Sequence, residues 1–153
     1  MRLNGKKSER NKELREEVIK IKKSFYGSNS LGGPKWNHLC NGKMEGGCII
    51  FGGWLKVIPS SGAKYAYCAF GGIGVAGWNH NCSIISTFER IEDLYSNVDS
   101  CMICSGSSLP DDTYIGAATD CILFDKSANI VAVASTDAGI AALVGGSVTW
   151  KNK

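Results

Sequence analysis

Proline and histidine are scarce in this chain, at 3 and 2 in 153. With so few prolines, 19 glycines and many β-branched and aromatic residues, the composition points to β-structure with many tight turns. No apolar run approaches the ~18 residues of a membrane-spanning helix. Met1–Lys23 holds no unbroken apolar stretch of signal-peptide type, so the expectation is cytosolic synthesis, with a leaderless route if the protein is secreted. The DxDxDG, HExxH and GxSxG patterns are missing. Gly71-Gly-Ile-Gly74 and Gly139…Gly145-Gly146 lack the spacing and strand–loop–helix context of a phosphate loop. Together these absences exclude most recognisable calcium, metalloprotease, α/β-hydrolase and nucleotide-binding chemistry.

Seven cysteines (40, 48, 68, 82, 101, 104 and 121) are present, an odd number in a chain long enough to fold unaided. That favours reduced thiols over a disulfide framework. The net charge of +3 hides an asymmetry. Residues 1–23 carry nine Lys/Arg against four Glu, whereas 24–153 carry eight against ten acids. A nucleic-acid reading would rest on the basic arm alone and is not favoured.

Residues 8–26 read as a helix, with Leu14, Val18, Ile21 and Phe25 on one narrow apolar stripe. Such a basic helix can dock on the body, pair with another helix, or lie on an anionic membrane surface through Lys12, Arg15, Lys20, Lys22 and Lys23. The chain divides into this arm (1–27), a Gly/Ser/Pro linker (28–35) and a β domain (36–153). Strands are expected near 36–42, 47–58, 63–70 and 73–86, with Pro59-Ser-Ser-Gly62 as a hairpin turn. Ser86-Thr-Phe-Glu89 has capping-box spacing, which predicts a short helix over 87–97. Strands resume near 99–106, 113–124, 129–136 and 139–150, with Asp125–Asn129 as a hairpin loop and Gly145-Gly146 as a bulge or bend. Eight strands, frequent glycine and few long exposed edges favour a small closed antiparallel β-barrel.

The tetrad Trp-Asn-His-x-Cys occurs twice, at Trp36–Cys40 and Trp78–Cys82. Read as a repeat, it suggests duplicated halves. Residues i and i+2 of a strand share a face, so His38 would stand beside Cys40 and His80 beside Cys82. If the two pairs converge they supply a tetrahedral N2S2 set suited to zinc. The competing reading is structural, with the tryptophans and thiols as core. Cys101-Met-Ile-Cys104 adds a CxxC, but on a strand its thiols would face opposite sides. A Cys–His hydrolase can be drawn from His38 or His80 with Cys48 or Cys104 and Asp120 as orienter, and no spacing selects one combination.

Phe88-Glu-Arg-Ile-Glu-Asp-Leu-Tyr95, Val98-Asp-Ser-Cys101, Ile122-Leu-Phe-Asp125, Ile130–Ser135, then Ala138-Gly139…Val144-Gly-Gly-Ser147…Trp150 follow in order. Over roughly residues 84–150 this order resembles the virulence-associated protein (Vap) family of pathogenic actinobacteria. The resemblance implies an eight-stranded barrel of two related halves with a small helix at one side. It also implies a secreted, non-enzymatic protein linked to survival inside host phagocytes, with no catalytic residues to carry over. This chain departs from the family in its missing leader, its seven cysteines and its basic arm with the tetrads. The function expected is binding, to a protein partner or an anionic membrane surface, without a cofactor; zinc at the four His/Cys positions is the alternative.

Overall fold

The computed structural model describes residues 13–14, 16–22, 24–25, 35–105, 119–136 and 144–153. Two strands of 23 residues dominate it, β1 (Asn37–Pro59) and β2 (Lys64–Ser86), paired antiparallel along their whole length. The turn between them uses Gly62 at φ 80°. Straight strands of this length would span roughly 75 Å, far more than a small domain can cover. Each therefore folds back near its middle. β1 reverses at Ile50 (φ 56°), and the register slips there, from Ile50↔Gly74 to Gly52↔Gly71.

The reversal lays the two halves of β1 side by side. The Ser60 amide donates to the Asn41 carbonyl at 2.8 Å. A Cβ on Gly42 would run into the Ile58 carbonyl, and one on Gly53 would sit 2.5 Å from the Gly47 carbonyl. Glycine at these positions is what permits the approach.

The chain continues through α2 (Glu92–Asn97), β3 (Ser100–Ser105), β4 (Thr119–Phe124), β5 (Ile130–Thr136) and β6 (Val144–Asn152), α1 being the N-terminal helix at 13–14, 16–22 and 24–25. The sheet runs β1-β2-β5-β4-β3-β6, and β6 closes onto β2 from Lys64↔Asn152 to Cys68↔Val148. β5 takes the other half of β2, from Ser83↔Ser135 to Ser86↔Ala132. With β1 and β2 each counted as two staves, this is a closed eight-stranded antiparallel barrel. In the first half of the chain the staves lie in spatial order 4-1-2-3. In the second half β6-β3-β4-β5 repeats that order, so the barrel is two Greek keys.

Side chains fill the interior, as expected of an eight-stranded barrel. Met44, Leu55, Ile84, Ile103 and Leu123 are buried there among the small residues Ala66, Ala132 and Ala134. Leu94 of α2 joins this core beside Ile91, Val98, Tyr95 and Trp150. A second cluster lies outside the wall, where Leu14 and Val18 of α1 pack on Ile85, Ile122, Phe124 and Val133. β4 is consequently buried on both faces along all its residues. Ile21 and Phe25 of α1, partly buried, pack against the same cluster.

Several local expectations change. Residues 43–46 and 71–72, where loops are expected, stay within strands: 43–46 pair with 78–81, and Gly71 pairs with Gly52 beside the register shift at the reversal. Ser86 does not cap a helix. Its hydroxyl donates to the Val131 carbonyl at 2.6 Å and accepts from the Phe88 amide, and the helix begins only at Glu92. The Asp125–Asn129 loop is as expected. The Asp125 carboxylate accepts from the Asn129 and Ser127 amides, and these bonds, Asn129's foremost, hold its pKa below the usual value.

Lys22, grouped with the surface cations from the sequence, is instead 3% exposed and ion-paired with Asp120 at 2.5 Å. The Ser135 hydroxyl donates to the same carboxylate oxygen at 2.6 Å. Removing one partner leaves a buried charge uncompensated. Lys22→Met is expected to cost about 3 kcal/mol in urea unfolding, and adding Asp120→Asn should recover more than half of it. A neutral Lys22→Met would mean that α1 is undocked in solution.

Candidate functional site

The two tetrads fall on neighbouring staves of one Greek key, at the start of β1 and in the second half of β2. They are not equivalent positions of duplicated halves. His38 precedes Asn41 by three residues, His80 precedes Ser83 by three, and Asn41 pairs with Ser83. The local twofold of that ladder therefore relates the tetrads and sends the two imidazoles in opposite directions. His80 lies opposite Met44, six residues along β1 from His38, or roughly 20 Å at strand rise. Two ligands of one zinc ion must each come within ~2.1 Å of it, so His38 and His80 cannot share a metal.

A register shift between His38 and Cys40 breaks the shared face expected of them. His38 is exposed, with Nε2 3.2 Å from Asn41 Oδ1, and Cys40 is buried. His80 is exposed while Cys82 is buried. Among the described residues no three His, Cys, Asp or Glu side chains group as a metal set. The zinc arrangement of His38, Cys40, His80 and Cys82 is not assembled.

The thiols gather in the core instead. Cys82 pairs opposite Gly42, two residues from Cys40, and both thiols enter the inner cluster. Burial, reinforced by Cys40, pushes the Cys82 thiol up to about 12. Cys101 donates to Cys68 at 2.8 Å. Those two thiols meet over β6 at Gly146, where an added Cβ would lie 3.0 Å from the Cys68 sulfur. Cys68 is raised by the Cys101 hydrogen bond and by burial, and Cys101 by its contact with Cys121 and by burial. These settings keep the thiol form, the reverse of what a nucleophile requires.

Nor is a Cys–His–Asp constellation built among the described residues. Asp120 is engaged by Lys22 and Ser135, Cys48 is buried, and both imidazoles are exposed. The Cys104 side chain lies outside the described residues, as do those of Trp78 and the candidate cations Lys12, Arg15 and Lys23. Lys20 is exposed on α1. An open cleft of about 490 Å³ at the tetrads is lined by Asn41, Gly42, Asn81, Cys82, Ser83, Ser135 and Thr136. Its described lining offers neutral hydrogen-bonding groups.

One feature of the surface escaped the sequence reading. At the reversal of β1, Phe51 is 76% exposed, Ile50 56% and Trp54 37%, the large exposed apolar side chains among the described residues. The available signal was the segment Gly46–Leu55, where charge is absent and glycine pairs flank the apolar residues.

No family model and no curated protein matches this sequence. Among solved structures, the fold is similar to the virulence-associated protein VapB from the intracellular pathogen Rhodococcus equi. The TM-score is 0.61 at 12% identity, covering 78% of this chain and all of that one. At this identity the likeness concerns the barrel.

The burial of these thiols gives a direct expectation. In the native protein Cys40, Cys48, Cys68, Cys82, Cys101 and Cys121 should resist a thiol reagent at neutral pH and react on denaturation. One of these six labelling far faster than the rest would restore the nucleophile reading.

Proposed function

We propose that the chain is a non-enzymatic binding protein of Vap type, an effector that works by contact between its outer surface and another macromolecule. The observation that carries this reading is the filled interior. Met44, Ile84, Ile103 and Leu123 occupy the space a ligand-binding barrel would keep open. What remains for function is the outer wall and the two ends. The similarity of fold to VapB agrees with this, and the docked α1 leaves Lys20 facing solvent.

A membrane surface or a protein partner can supply the contact. Flotation of the full chain with anionic and with neutral vesicles separates them, and recovery with vesicles is the expected result. Recovery with neither class would confine the reading to a protein partner. Sustained turnover of an ester or peptide substrate by the purified chain would overturn it altogether.

A further inference from the structure

We propose that the reversal of β1, with Ile50 and Phe51 at its apex and Trp54 behind them, is a tip that inserts into the interfacial layer of a lipid bilayer. This rests on the contact reading and gives it a site and a partner.

The backbone at the apex is the first ground. Ile50 has φ 56°, a left-handed conformation that is a genuine outlier for a β-branched residue. Glycines stand at 46, 47, 52 and 53, yet the residue that needs glycine's freedom most is isoleucine. The strained side chain is then left 56% exposed. Folding gains little from such a residue, so the strain points to a use outside the fold.

Charge is the second ground. Residues 46–55 of β1 and 68–78 of β2, which pair with each other, contain no Asp, Glu, Lys or Arg. Behind this zone the first charges are Glu45 on one half of β1 and Lys56 on the other, and two lysines there lie beside aromatic rings. Lys56 Nζ lies 5.2 Å from the Trp54 ring centroid and 5.4 Å from that of Tyr65. Lys151 Nζ lies 4.2 Å from the Tyr67 centroid. An apolar point backed by Trp, Tyr and Lys is the order in which side chains partition across a membrane interface.

The dimensions agree. Trp54 follows Phe51 by three residues, about 10 Å of strand, and Lys56 by five, about 17 Å. Interfacial elements bury their apolar groups ~5–10 Å deep, so Phe51 would reach the acyl boundary with Trp54 near the headgroups. A second copy of this chain fits less well. The three side chains expose only a few hundred Å² (roughly 150–250 Å² for each whole aromatic), against ~800 Å² per partner in a stable interface. The closed barrel also leaves little free strand edge for pairing.

The test is flotation of the full chain with phosphatidylcholine vesicles and with vesicles containing phosphatidylserine, at low salt and at about 0.5 M salt, which screens surface charge. Insertion of the tip is expected to give binding to both lipids that survives salt. Phe51→Asp should lower partitioning about tenfold or more. Ile50→Gly relieves the left-handed strain, so it should weaken partitioning without lowering the melting temperature, which guards against a folding defect in Phe51→Asp. Binding only to anionic vesicles, lost in salt and unchanged in Phe51→Asp, overturns the tip and leaves the contact reading on the basic residues. Binding to no vesicle overturns the tip and the membrane form of the contact reading together. Phe51→Asp and Ile50→Gly that both fold and bind like the parent chain overturn the tip alone.

Discussion

The reversal of β1 at Ile50 is the constraint on which the rest of the barrel depends. A ribbon of two paired 23-residue strands can enter a small domain only by doubling over. Doubling brings Asn41 against Ser60 and Gly42 against Ile58, so the ribbon supplies four adjacent staves. β2 is then left with an open edge at each half. β5 and β6 occupy those edges, and β3 and β4 join them to close the wall. Residues with a Cβ at 42 or 53 would hold the halves of β1 apart, and the closure would lose its starting geometry.

Much of this architecture was legible in the residues. The turn at Pro59–Gly62, the loop at Asp125–Asn129 and the number of staves follow from turn chemistry and alternating apolar runs. The Vap-like order of the second half pointed to the same barrel. What local pattern could not show was where a strand bends without ending. Gly46-Gly47 and Gly71-Gly72 look like breaks in sequence, yet both stay within paired strands. Ser86 was misread for a related reason, because its acceptor, the Val131 carbonyl, lies 45 residues away. Lys22 is buried by Asp120, 98 residues distant, and nothing near it in sequence signals that partner.

The candidate site was less legible than the fold. The paired Trp-Asn-His-x-Cys segments suggested ligands, but an antiparallel ladder sends identical segments opposite ways and separates their histidines. Cys40, Cys68, Cys82, Cys101 and Cys121 instead share a packing role: they are small, apolar and tolerant of one another in a barrel whose interior has little width. The side chains that the fold does not require in their observed state are at the apex of β1, where strain and exposure coincide.

The most direct test of the doubled ribbon is a nuclear Overhauser spectrum of the labelled full chain. A backbone contact between Gly42 and Ile58, 16 residues apart and within a single strand, is expected if β1 folds back at Ile50. Cross-strand contacts from β1 to β2 without any between Gly42 and Ile58 would show an open hairpin, and would contradict the closed barrel.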